Sequence, residues 1–167
     1  MKLAVGDMVV YGTHGIGRIR ARETQVVLGT KREVVVLELS DGLTATLPVE
    51  RAQEQLRPIL TETDMRRVKQ VLKNDSELSS DPWLSRRRDV LAKLTAGDPA
   101  QLAEIVSDGA QRERALQAKG GKTQLSPGER EIFVQARRLL AEEIALSRGI
   151  EQEAADAWID EQLSRRA

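Results

Sequence analysis

Two periods divide the chain. In residues 1–58 the apolar positions come in short alternating or continuous runs, as strands require. Met8-Val9-Val10-Tyr11 is the first run, and it ends in a glycine-rich turn, Gly12-Thr13-His14-Gly15-Ile16-Gly17. From Arg18 to Arg22 charged and apolar residues alternate. A strict two-residue period puts Arg18, Arg20 and Arg22 on one side and Ile19 and Ala21 on the other. Val26-Val27-Leu28, a turn at Gly29-Thr30, and the run Glu33 to Leu39 follow. Asp41-Gly42 is a hairpin signal, because tight turns need the positive φ that glycine adopts without strain. Leu43-Thr44-Ala45-Thr46-Leu47 forms the return strand, which Pro48 ends. Five short strands with short connections predict a small, strongly bent antiparallel barrel of the SH3 or Tudor type.

From Thr61 the period becomes helical. Met65, Val68, Val71 and Leu72 share one stripe of a first helix. Residues 74–81 are a polar linker. Pro82 opens a second helix, with Asp81 or Ser80 as its cap and Leu84, Leu91 and Leu94 as its buried stripe. Gly97-Asp98-Pro99 ends that helix, caps the next and starts it. The third helix carries Leu102, Ile105, Val106 and Leu116, and Gly120-Gly121 breaks it. Ser126-Pro127-Gly128-Glu129 has the spacing of a capping box for a fourth. Ile132, Phe133, Ala136, Leu139, Leu140 and Ile144 are its stripe, and Ala154, Trp158, Ile159 and Leu163 mark a last short helix. The expected class is therefore α+β: a barrel over residues 1–58, then a compact all-α domain of about five helices over 61–167.

Composition removes several function classes. There is no cysteine, which excludes disulfides, thiol catalysis and zinc ribbons together. Lys+Arg and Asp+Glu are both 26, so any grip on nucleic acid must come from a local patch rather than from net charge. No apolar run approaches the ~20 residues of a membrane span. The opening Met-Lys-Leu-Ala-Val-Gly-Asp is too short an apolar stretch for a signal peptide, so the expected location is the cytoplasm.

Most apparent motifs dissolve on their spacing. Gly121-Lys122-Thr123 resembles the end of a phosphate loop, but Leu116 stands where that loop needs glycine, and a helix leads in. Gly12-x-x-Gly15-x-Gly17 is not the dinucleotide order, and no helix follows it. His14 is the single histidine, so a metal site would need carboxylates alone; it reads as a solvated turn residue. Glu142-Glu143 reads as a solvated helix face. No enzyme, metal or cofactor is expected.

Two segments remain. In Asp81-Pro82-Trp83-Leu84-Ser85-Arg86-Arg87-Arg88, Trp83 opens a helix with Arg86 and Arg87 three and four residues on. The apolar stripe through Leu84 is offset from that face, which directs Trp83 away from the core. An aromatic plate beside guanidinium groups suits nucleic acid, the charges holding phosphates while the ring stacks or wedges. It equally suits a Trp that covers a domain junction, with arginine stems packed on it. The Arg18, Arg20, Arg22 row is either a solvated sheet face or a docking surface for an acidic partner.

The order of several segments resembles the CarD-like bacterial transcription regulators over nearly the whole chain. Val5-Gly6-Asp7, Val9-Val10-Tyr11 and His14-Gly15 look like that family's opening. Trp83, Arg86 and Leu91-x-Lys93-Leu94-x-x-Gly97-Asp98 look like its second helix. Leu125-Ser126-x-Gly128-Glu129, Ala136-Arg137 and Glu143-x-Ala145 look like its fourth.

The resemblance implies a Tudor-like module, shared with transcription-repair coupling factors, that binds the RNA polymerase β subunit. It also implies a helical domain touching promoter DNA at the upstream edge of the melted region. Trp83 would wedge into the minor groove, with Arg86, Arg87 and Arg88 as neighbouring basic positions. The implied outcome is a stabilised open promoter complex, formed by a nucleoid-associated monomer without sequence-specific recognition. A stacked base is worth ~1–3 kcal/mol, and tethering to polymerase lets so weak a contact suffice.

Well-known members carry arginines where Gln25 and Thr46 stand here. The expected polymerase-contact set is Gln25 and Thr46, placed by the resemblance, with Arg22, Lys31 and Arg32 as the nearby charges that would compensate for the two lost arginines. Leu84-Ser85 also replaces a usual Ser-Arg pair, and Gly12 a common proline. The alternative is an interaction module whose barrel docks some other protein.

Overall fold

A computed structural model describes residues 1–120 and 124–165, so Gly121-Lys122-Thr123 lies outside the described residues. The chain divides into two compact units, Met1–Ile59 and the chain from Leu60 onward.

The first unit is built on strands β1 (Met8–Val10), β2 (Ile16–Val27), β3 (Thr30–Leu39), β4 (Thr44–Pro48) and β5 (Arg57–Pro58). A single turn of tighter helix spans Gly12–His14, and helix α1 covers Val49–Gln55. The strands pair antiparallel in the order β4-β3-β2-β1-β5, so the sheet is open and β4 and β5 are its edges. Leu3, Val9, Ile19, Val35, Leu37 and Leu47 pack with Ala52 of α1 and with Leu56 into one core.

Three details differ from the expected strands. The runs through Arg22 and through Val26 are one strand, because Glu23, Thr24 and Gln25 continue the ladder against Val34, Glu33 and Arg32. The β2–β3 turn lies at Leu28-Gly29 rather than Gly29-Thr30, with φ of 51° and 80° at the two residues. Positive φ at both central positions matches the right-handed twist of the flanking strands. Helix α1 and β5 carried no usable signal: only Ala52 is buried along α1, and β5 has two residues.

The arginine row is also corrected. A bulge between Ile19 and Ala21 makes Arg20 the extra residue, since Ile19 faces Leu37 but Ala21 faces Val36. One inserted residue exchanges the faces of everything beyond it. Arg18 and Arg20 stay exposed, and Arg20 bonds Glu38. Arg22 is exposed as well but lies on the other face, opposite the fully buried Val35. Its Nη1 donates to the Leu3 carbonyl at 2.8 Å, and its Nη2 pairs with Glu33 at 2.7 Å.

The second unit contains α2 (Glu62–Lys73), α3 (Trp83–Ala96), α4 (Pro99–Ala118), α5 (Pro127–Arg148) and α6 (Gln152–Ser164). Met65, Val68 and Leu72 of α2, Leu102, Ile105 and Val106 of α4, and the whole stripe expected on α5 are buried in one core. Thr61 and Asp64 form a capping box at α2. Gly97 ends α3 at φ 68°, and Asp98 caps α4 through the Gln101 N–H. On α6 the buried alanine is Ala155, not Ala154. Arg137 of α5 bonds Asp156 and Asp160 of α6 at 3.0 and 2.7 Å. Burial alone would lower its pKa, but the two aspartates outweigh that and raise it.

Glu142-Glu143 is not a solvated face. Glu143 is 1% exposed and accepts the Leu60 N–H at 2.8 Å, while Glu142 pairs with Arg138 at 2.9 Å. Residues at i and i+1 point about 100° apart on a helix, so one glutamate enters the core edge while its neighbour stays lateral. Among the described residues no helix is long and apolar enough to cross a membrane.

Candidate nucleic-acid interface

Helix α3 starts without a side-chain cap. Pro82 is its N-cap residue, and neither Asp81 nor Ser80 bonds the free N–H groups of the first turn. Its inward face also differs from the expected stripe. Leu84 is 83% exposed, whereas Trp83, Val90 and Leu91 pack partly against the core and Leu94 is buried. Trp83, Val90 and Leu94 follow i, i+7, i+11, a helical stripe that excludes Leu84. Trp83 therefore belongs to the packed face rather than pointing away from it, and it remains half-buried.

The indole is held from two sides. Arg86 lies over it, with Cζ 5.4 Å from the ring centroid. That is a cation–π distance. On another side stands Gly128, where a Cβ would lie 3.2 Å from the indole Nε1. The ring lines a groove of about 630 Å³ together with Arg86, Val90, Asp108, Arg112 and Phe133.

Arg86 is not a free phosphate ligand. Its Nε donates to the Asp81 carbonyl at 2.9 Å, its Nη1 donates to Glu129 Oε1 at 2.9 Å, and Asp108 lies at 4.0 Å. Arg112 completes the cluster, 2.9 Å from Asp108 and 3.8 Å from Glu129. Arg86, Arg112 and Glu129 have side chains only 13, 15 and 12% exposed. Charges so far out of water persist only as a mutually paired set.

The Ser126–Glu129 capping box is absent for the same reason. Ser126 is the N-cap residue of α5 but bonds no N–H, and the Glu129 carboxylate is turned to the arginines. Arg87 and Arg88, by contrast, are exposed and make no ion pair with a described residue. Sequence spacing missed Asp108, Arg112, Gly128 and Glu129. The Asp108–Arg112 pair had a local signal in its i,i+4 spacing, and Gly128-Glu129 reads instead as part of a helix cap.

In the first unit the five residues expected at a polymerase contact divide between the faces of the sheet. Gln25 faces Arg32, and Thr46 faces Val36, four residues along β3 from Arg32. These three share one face and are exposed. Arg22 faces Val35, and Lys31 is one residue out of phase with Arg32, so both lie on the other face. His14 is exposed beside Tyr11, with ring centroids 4.8 Å apart.

Family comparison separates the same two units. Residues 3–60 match the CarD-like/TRCF RID domain, and residues 67–160 match the CarD C-terminal domain. The chain belongs to the CarD-like family. It is also similar to a protein of Bacillus subtilis (strain 168) that bears the name "Putative transcription factor YdeB". The two are 28% identical over 153 residues, covering 87% of this chain and 92% of that protein. This CarD-like chain thus has a role in transcription and sits in a family of regulators rather than enzymes. Trp83 and the clustered charges all fall within the match to the C-terminal domain, and Gln25, Arg32 and Thr46 within the match to the RID domain.

Proposed function

We propose that the chain docks on the RNA polymerase β subunit through its N-terminal sheet and steadies the open promoter complex through α3. The half-buried Trp83 at the start of that helix, beside exposed Arg87 and Arg88, is the observation that carries this reading. Arg87 and Arg88 hold phosphates, which positions the helix without reading sequence. The indole offers an apolar wedge where base pairs separate, and stacking there replaces a lost neighbour. Arg86 contributes indirectly, by holding the ring. The docking face is the one that carries Gln25, Arg32 and Thr46. In the cell the chain acts as a cytoplasmic, nucleoid-associated monomer.

Trp83→Ala tests the wedge. Polymerase binding should persist while open-complex lifetime falls, and an unchanged lifetime at a sensitive promoter sinks the proposal. Arg87→Ala and Arg88→Ala should each flatten the salt dependence of promoter binding by about one unit of log–log slope. Because only Arg32 is charged among the three docking residues on that face, a second reading is a sheet that docks a different protein. Affinity capture from a bacterial lysate separates the two: recovery of polymerase β supports the first, its absence the second.

A further inference from the structure

We infer that Glu129 is a positioning residue for Trp83, acting through two arginines, and that Gly128 supplies the space the indole needs. This rests on the proposed role of Trp83 in promoter opening and names what sets that ring in place.

Helix α3 has no side-chain cap, so something else must fix the chain that enters it. Two hydrogen bonds do so. Arg86 Nε donates to the Asp81 carbonyl at 2.9 Å, and Arg112 Nη2 donates to the Ser79 carbonyl at 3.0 Å. Both arginines converge on one carboxylate, Glu129 Oε1, at 2.9 and 3.8 Å. That carboxylate comes from the first turn of α5, where it gives up the capping role its spacing suggests. Glu129 thus joins the start of α5 to both ends of the segment Ser79–Asp81, which Pro82 alone separates from Trp83. Arg86 transmits the position to the ring itself by lying over it.

Gly128 acts on the other edge of the ring. Its own φ is not in the left-handed region, so no backbone strain demands glycine there. The need is spatial. An added Cβ would lie 3.2 Å from Nε1, and apart from its chain neighbours and the backbone of its own helix no other described heavy atom stands within 4 Å of it. Alanine at this position would therefore press on the indole alone, while favouring helix.

The test uses full-length protein labelled with fluorotryptophan and read by fluorine NMR. Trp83 and Trp158 supply the signals, assigned with Trp158→Phe. Glu129→Gln should move the Trp83 resonance and leave that of Trp158 in place. Gly128→Ala should do the same without lowering the melting temperature. A Trp83 resonance that stays put in both variants, or signals that shift together, overturns the inference. Should Glu129→Gln fail to fold, Gly128→Ala decides alone: a moved Trp83 resonance supports the inference, and an unmoved one sinks it.

Open-complex lifetime is then measured with polymerase. Both variants should shorten it toward the value of Trp83→Ala while leaving polymerase binding intact. If Trp83→Ala has no effect on lifetime but the resonance still moves, the promoter role fails and the positioning stands.

Discussion

Gly109→Ala measures how tightly α4 and α5 close beneath the proposed DNA-contacting face. Gly109 follows Asp108 in α4, and a Cβ at 109 would meet Phe133 of α5 at 2.2, 2.8 and 3.0 Å from Cδ2, Cε2 and Cγ. Carbon atoms in ordinary contact sit roughly 3.5–4.0 Å apart, so all three approaches are repulsive. The clash reaches Cγ, close to the root of the ring, and Phe133 is 9% exposed within the core. The ring forms part of the wall of the groove beside Trp83, so the helices must part or the phenyl must leave its rotamer and turn toward that groove.

Overpacking of this kind costs about 1–3 kcal/mol, and a 2.2 Å approach belongs at the upper end. Alanine recovers about 1 kcal/mol of helix propensity over glycine. The net expectation is a loss of about 2 kcal/mol, or a melting temperature lower by roughly 10 °C for a unit of this size. Thermal unfolding followed by circular dichroism reads it. Phe133→Leu combined with Gly109→Ala should cost less than the sum of the single changes, because the two share one clash. A Gly109→Ala protein as stable as the parent, or more so, would refute the close approach of these helices at this point.

Leu84 and Leu94 distinguish the stripe expected from the sequence from the one in the structure. Leu94→Ala should cost about 2–5 kcal/mol and Leu84→Ala less than about 0.5, as read by chemical unfolding. In the sheet, the Arg20 hydrogen bond holds the Glu38 carboxyl below the ordinary carboxylate range. Its stabilising contribution is present above the unfolded-state pKa and fades as pH falls through the lower folded value. Arg20→Ala should return the Glu38 titration toward the ordinary range in an NMR pH series, and an unmoved titration would count against the pair.

Much of the helical unit was legible because its signals are local. The α5 stripe, the Gly97-Asp98-Pro99 junction and the Thr61 start each depend on residues within a turn or two of one another. The boundary near residue 60 was legible because the hydrophobic period changes there. The errors arose where a local signal had two solutions. Leu84 and Trp83 are adjacent apolar residues at a helix start, and helical period alone admits either one inward. Ser126-x-x-Glu129 fits a capping box, but a carboxylate facing two arginines in a half-dry site does better there than at an exposed N–H. The arginine row failed for a different reason: one bulged residue leaves no mark in the alternation, yet it exchanges the faces beyond it.

Residue order alone was enough to read the class, the two-part division, most of the helical core and the candidate tryptophan with its basic neighbours. Each of these follows from periodicity and turn chemistry, which act over a few residues. Which arginines beside Trp83 remain free and which are engaged follows from how the helices pack. That depends on Asp108 and Arg112 of α4 and Glu129 of α5 arriving from 22 to 43 residues away along the chain. Ion pairing follows distance in space, and nothing in the spacing of Arg86, Arg87 and Arg88 records which of them a distant carboxylate will meet.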